Sequence, residues 1–243
     1  MKAVLQHISV RQSGFARHSF FDGLRQDQPL EQALAFAPRL AFWVMSFQEV
    51  LRLNAQRVQD PELKPLMLRH RAEERGHDDW FFEDVAVLMG RPLSVDDLWS
   101  RAHESTRNAS YDLLREVLRP LDDRLRVVLV LALESTSHAF FTRTAALTQA
   151  LGGDNRLKYF SNYHMAAEEQ HEVFEEEMET RLHAMELTPA LRDEALALVD
   201  RIYAAFHSMF DGLRDESRSP VAHPKKRPQL TAIPEPSMSA LCH

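Results

Sequence analysis

The chain has 243 residues, 44% of them hydrophobic and 27% charged, with a net charge of -7. These proportions suit a soluble globular protein, and the acidic balance excludes a general nucleic-acid binder, whose footprint would be basic. The single cysteine, Cys242, excludes a disulfide framework and cysteine catalysis within the fold, so a reducing cytoplasm is the expected setting.

Residues 1–15 lack the apolar core of a signal peptide, and no apolar run reads as long enough to span a bilayer. Seven glycines among abundant Ala, Leu, Arg and Glu mark an all-α chain. No internal linker interrupts it, so one helical domain is expected over residues 1–215. His18-Ser-Phe-Phe-Asp-Gly-Leu24 opens a short helix. An amphipathic stretch follows from about Leu30 to Val58, kinked or divided by Pro38. Asp60 as N-cap and Pro61 in the first turn start a helix that ends near Gly90-Arg91-Pro92. Ser94 caps a short helix to about Ala102, and another covers Tyr111 to Leu118. Pro120 starts or bends a long helix from Leu121 to about Ala150, which ends at the turn Gly152-Gly153-Asp154-Asn155. A helix from about Arg156 to Ala184 follows, then an amphipathic one from Thr188-Pro189 to about Leu213. Residues 216–243 hold five of the twelve prolines and the basic triplet Lys225-Lys226-Arg227, the composition of a disordered tail.

The pattern His-x3-Glu-x2-His occurs twice, as His70, Glu74, His77 and as His164, Glu168, His171. On a continuous helix, positions i, i+4 and i+7 share a face. Each copy thus presents two imidazoles and a carboxylate, side chains that bind iron, manganese or zinc. Di-iron helix bundles pair two Glu-x-x-His helices with one Glu from each of two others. Glu74-x2-His77 and Glu168-x2-His171 match the first part.

Two further carboxylates are candidates for the second. Glu134 sits in an apolar helix, where a lone carboxylate would be expensive to bury. In an antiparallel helix pair, residues equidistant from the turn are level; Glu134 and Glu168 are equidistant from the Gly152 turn. Glu49 passes the same test against Glu74 across Asp60-Pro61, with Gln48 and Ser46 competing for the inward direction. His70 and His138 stay open between ligand, supporting group and solvated histidine. Glu73, Asp78, Asp79, Glu169, Glu172 and residues 175–177 read as solvated faces. Phe42, Trp43, Phe47, Trp80, Phe81, Phe82, Phe140 and Phe141 read as core, some of them able to line an apolar tunnel. Gly-rich phosphate loops, His-Glu-x-x-His and Gly-x-Ser-x-Gly are absent.

On these residues the chain resembles the haem-oxygenase-like di-iron oxidases and oxygenases, most of all the branch containing the fatty-acid decarboxylase that makes terminal alkenes. His18-Ser-Phe-Phe resembles the superfamily's opening, and Glu74-Arg-Gly-His77-Asp-Asp-Trp80 resembles a Glu-x-x-His-x-Asp-x-Trp segment. Glu134 stands where the family places a mid-chain ligand, and His164 to His171 resembles a closing His-x3-Asp-x2-His. The likeness covers about residues 15–213. It departs from the family in Glu168, where Asp is usual, and in Glu49, which is shifted by several residues.

The resemblance implies a single-domain haem-oxygenase-like bundle of about seven helices holding two iron ions, with Mn/Fe as a variant. Its metal ligands would be Glu74, His77, Glu134, His164, Glu168 and His171, with Glu49 as the candidate on the first helix. The expected activity is O2-dependent oxidation of a small organic acid, amino acid or amine by decarboxylation, desaturation, cleavage or N-oxygenation. The expected partners are the small-molecule substrate and O2, with room for an electron donor and a homodimer, and neither nucleic acid nor membrane. The alternatives are a ferritin-like di-iron aryl-amine N-oxygenase and a non-enzymatic helical protein that binds metal or a small ligand.

Overall fold

The centre of the fold is a 28-residue helix that is apolar nearly all round, the pattern of a helix meant for the interior. The computed structural model describes residues 1–119, 121–168, 181–182 and 184–217. Among them the chain is all helical, with no strand, and forms one compact domain. Its α-helices are α1 (Lys2–Phe15), α2 (Leu30–Ala33), α3 (Ala41–Arg57), α4 (Leu63–Glu73), α5 (His77–Met89), α6 (Val95–Trp99), α7 (Glu104–Leu118), α8 (Asp123–Ala150), α9 (Asn162–Glu168) and α10 (Pro189–Ser217). Short 3-10 turns cover Phe21–Gly23, Ala37–Leu40 and Arg101–His103.

Helix α8 buries Val127, Val128, Leu129, Val130 and Leu133 on successive faces, against α1, α3, α4, α9 and α10. Its cap is the Asp122 carboxylate, which accepts the Arg124 N–H at 2.9 Å, while Pro120 lies outside the described residues. By length and composition alone α8 would cross a bilayer, contrary to the sequence reading; 67% of its most apolar window is buried in the protein, as in a core helix.

The first fifteen residues form a helix that the sequence pattern did not announce, because its buried stripe is thin: Val4, Ile8 and Phe15. Tertiary contacts hold it. Asp200 on α10 receives His7 Nε2 at 2.6 Å and Arg11 Nε at 2.7 Å. Phe15 inserts edge-on against Phe21, Tyr203, Phe206 and Phe210.

Elsewhere the local signals hold with adjusted ends. The segment after His18 makes a single 3-10 turn. Pro38 divides the Leu30–Val58 stretch, sitting in the 3-10 turn that precedes α3. Ser94 caps α6 in a reciprocal capping box with Asp97. Helix α7 starts at Glu104, a full two turns before Tyr111. The last helix runs on to Ser217, and residues 218–243, which carry most of the expected tail, lie outside the described residues.

Helices α7 and α10 approach closely at Gly212, where an added Cβ would overlap Cβ and Oγ of Ser105. Gly212→Ala should therefore destabilise the protein by about 1–3 kcal/mol in chemical denaturation. Ser105→Gly in the same chain should recover part of that loss.

Where α10 meets the His18 turn, the rings of His18 and His207 lie 5.1 Å apart. Burial, before any charge, holds both imidazoles below the ordinary 6.5. The unfolded chain therefore binds these protons first. Their effect is nil above about pH 6.5 and grows as a loss of stability when the pH falls from there toward the folded values. His207→Gln should lose less stability than the wild type between about pH 7 and about pH 5, measured by denaturation at each pH.

Candidate metal centre

The first motif does not lie on one continuous helix. Helix α4 ends at Glu73, Gly76 takes the left-handed conformation with φ 95°, and α5 begins at His77. Glycine adopts this conformation without the Cβ clash other residues meet. The break leaves the last carbonyls of α4 without helical partners; Gln48 Nε2 on α3 donates to the Glu74 carbonyl at 2.8 Å.

Because of the break, His70 and Glu74 face one way and His77 another. His70, Glu74 and Glu134 form one group of ligand-type atoms, and His77, His164 and Glu168 form a second; within each, the atoms lie within 4.8 Å of one another. Glu74 links the two, with its Oε2 3.1 Å from His77 Nδ1. Four of the six residues, His70, Glu74, His77 and His164, are at most 6% exposed. The side chains of Glu134 and Glu168 are each 27% exposed.

The spacings fit a metal. His164 Nε2 lies 2.9 Å from Glu168 Oε1 and 3.2 Å from His77 Nδ1, and His77 Nδ1 is 3.5 Å from Glu168 Oε1. His70 Nε2 is 3.1 Å from Glu134 Oε1. Donors at about 2.0–2.1 Å from one ion are separated by about 2.9–3.4 Å in octahedral or tetrahedral coordination. The charges agree. The cavity at this point is lined by Glu74, Asp78, Glu134 and Glu168, and no lysine or arginine lines it among the described residues.

The supporting contacts set tautomers. His164 Nδ1 donates to the Tyr159 carbonyl at 3.0 Å, which leaves the Nε2 lone pair facing the other donors. That carbonyl belongs to a loop that Asp84 pins from α5: its carboxylate accepts the N–H of Lys158 at 2.8 Å and of Phe160 at 3.1 Å. Burial pushes the Asp84 carboxyl above its usual range, against the pull of those donors. For His70, burial acts to lower the pKa, but the nearby carboxylates of Glu134, Glu74 and Glu168 together outweigh it and raise it. Burial, then Glu74 and Glu168, holds the Tyr159 phenol protonated. Phe141 packs edge-on against His164 at 4.0 Å, and Trp80 stacks on His77 at 4.6 Å and 26°.

The structure thus brings together Glu74, His77, Glu134, His164 and Glu168, and adds His70, whose role the sequence left open. It does not bring Glu49 to them. Glu49 is on the outer face of α3 with its side chain 54% exposed, hydrogen-bonded to Arg52, while Gln48 turns inward. His138 is exposed. His171 lies outside the described residues. Asp78, read as solvated, is half-buried in the cavity wall. Asp84 and Gln48 carry no motif, and only the tertiary fold reveals their contacts. The second motif helix starts at Asn162 instead of Arg156, because residues 153–161 form the loop that Asp84 holds. No family model matches the chain, and no curated protein matches it.

Removing the Asp84 carboxylate should free the loop that orients His164. Asp84→Ala should weaken divalent-metal binding by about 10- to 100-fold in an anaerobic Fe(II) or Co(II) titration, and an unchanged affinity would show that the loop needs no such anchor.

Proposed function

We propose that this protein is a non-haem di-iron oxidase or oxygenase that uses O2 to oxidise a small organic acid, amino acid or amine. One observation carries the proposal: two adjacent donor groups, one of two imidazoles and a carboxylate and one of an imidazole and two carboxylates, share a flank at Glu74. Mixed imidazole and carboxylate donors suit iron or manganese. His77, His164 and Glu168 would hold one ion, His70, Glu74 and Glu134 the other, with His171 available by its place in the sequence pattern. When bound, the ions would supply electrons to O2 at coordination positions that three protein donors leave open.

The chain's own residues do the rest. Three carboxylates would offset three of the four positive charges of two divalent ions. The Tyr159 carbonyl fixes His164 as an Nε2 donor. Trp43, Val44, Phe47 and Phe141 line the cavity with apolar surface and limit water at the reacting atoms. A second, mostly apolar cavity shares Trp43, Val44, Ser137, Phe141 and Tyr159 with the first and marks the side from which a small substrate would approach the donors. The break at Gly76 counts against the ferritin-like alternative, whose Glu-x-x-His motifs project inward from the helices of a four-helix bundle.

Anaerobic loading of the full chain with Fe(II) should give about two irons per chain, and Glu134→Ala about one. O2 admitted to the loaded wild type should be consumed and the iron oxidised, as read by an oxygen electrode and Mössbauer spectroscopy. Failure to take up iron would sink the proposal, and uptake with no O2 consumption would favour a metal-binding protein.

A further inference from the structure

Iron oxidised by O2 must be reduced again before a second turnover, and two of the candidate ligands, His77 and His164, are buried. We propose that Tyr163 and Trp80 form the path by which single electrons enter this centre from a one-electron carrier protein docked at the surface. The inference rests on the metal reading above and adds to it a place of entry and a kind of partner.

Two ring contacts connect solvent with a candidate ligand. The Trp80 indole stacks on the His77 imidazole with centroids 4.6 Å apart and planes 26° apart. The Tyr163 ring meets the same indole edge-on at 5.0 Å. Tyr163 is 55% exposed, Trp80 is half-buried, and His77 is 6% exposed, so the series runs from outside to inside in two steps. Trp80 also lies 5.9 Å from the His164 ring, which puts it beside both imidazoles of one donor group. Among the described residues, the other aromatic rings against these histidines, Phe141 and Tyr159, are buried and lead inward to Phe140 and Phe160.

Each passage oxidises the carrier by one electron and reduces one ferric ion to ferrous. Two passages restore the pair, and both rings end unchanged with no atom transferred. The protein supplies only contact and orientation.

The test uses the full chain, loaded with Fe(II) without oxygen, oxidised with O2, and mixed in a stopped-flow instrument with a reduced plant-type ferredoxin. That donor is a low-potential one-electron carrier too large to enter the cavity. The readout is the rate at which the ferric absorption disappears, with iron content and the ferric spectrum measured on the same samples. Trp80→Leu and Tyr163→Leu should reduce several-fold more slowly than wild type at full iron content. Trp80→Phe, which keeps a ring in place, should fall between them and wild type. Trp99→Leu, which removes an exposed indole away from the site, should behave as wild type. Leucine variants that hold their iron and are reduced at the wild-type rate would overturn the relay. If Trp80→Leu loses iron, Tyr163→Leu decides the question, because its ring touches Trp80 and not a candidate ligand. A wild-type chain that takes up no iron brings down the metal reading and the relay together.

Discussion

Among the described residues, three carboxylates and three imidazoles form two adjoining donor groups beside a cavity with no lysine or arginine in its lining, and this crowding is the constraint that the rest of the structure serves. Each buried charge costs several kcal/mol in lost hydration unless something compensates. Like charges at such distances compete to stay protonated. The response is visible in His70, whose proton affinity is raised against the effect of its own burial. A group of this kind is an expensive feature for a small domain to maintain. Divalent cations would relieve both the desolvation and the repulsion, and the donors already stand at the separations that coordination requires.

The fold spends four separate elements on this arrangement. Helix α8 brings Glu134 through the middle of an otherwise apolar core. The end of α4 brings His70 and Glu74, the start of α5 brings His77, and α9 brings His164 and Glu168. Neither α5 nor α9 could deliver its histidine from a helix running straight on. Gly76 redirects the chain before His77. The loop over 153–161 redirects it before His164, and Asp84 on α5 holds that loop. One helix therefore supplies a candidate ligand at its first residue and the anchor of its partner's ligand two turns later.

The repeated motif was legible because it depends on residue types, and those of its members that the structure describes do converge. The reason differs from the one the spacing suggested. A shared face at i, i+4 and i+7 assumes an uninterrupted helix, and Gly76 interrupts it, so His77 joins the other group while Glu74 stays between them. Height along a helix was legible too, from distances to the turns. It places Glu134 correctly beside the motif residues, level with Glu168. It says nothing about azimuth, which is why the level Glu49 can lie outside with Arg52 while Gln48 points in. What could not be read was set by partners distant in sequence. Asp84 meets a loop 74 residues away, and α1 is held by Asp200, 193 residues from His7.

The centre also has two unlike sides, and this asymmetry bears on how it could work. On one side are Phe141 and Tyr159, buried, continuous with the second cavity and with the aromatic cluster around Phe140 and Phe210. That side is apolar and suits a carbon skeleton brought close to the donors with little water. On the other are Trp80 and Tyr163, which pass from buried ligand to solvent within two rings. On the function proposed above, the site would have to exclude water from its substrate and yet exchange electrons with a partner, and these demands oppose each other, since an opening wide enough for the partner would flood the cavity. Placing rings instead of an opening on the solvent side meets both demands, because aromatic contacts can pass charge while blocking water.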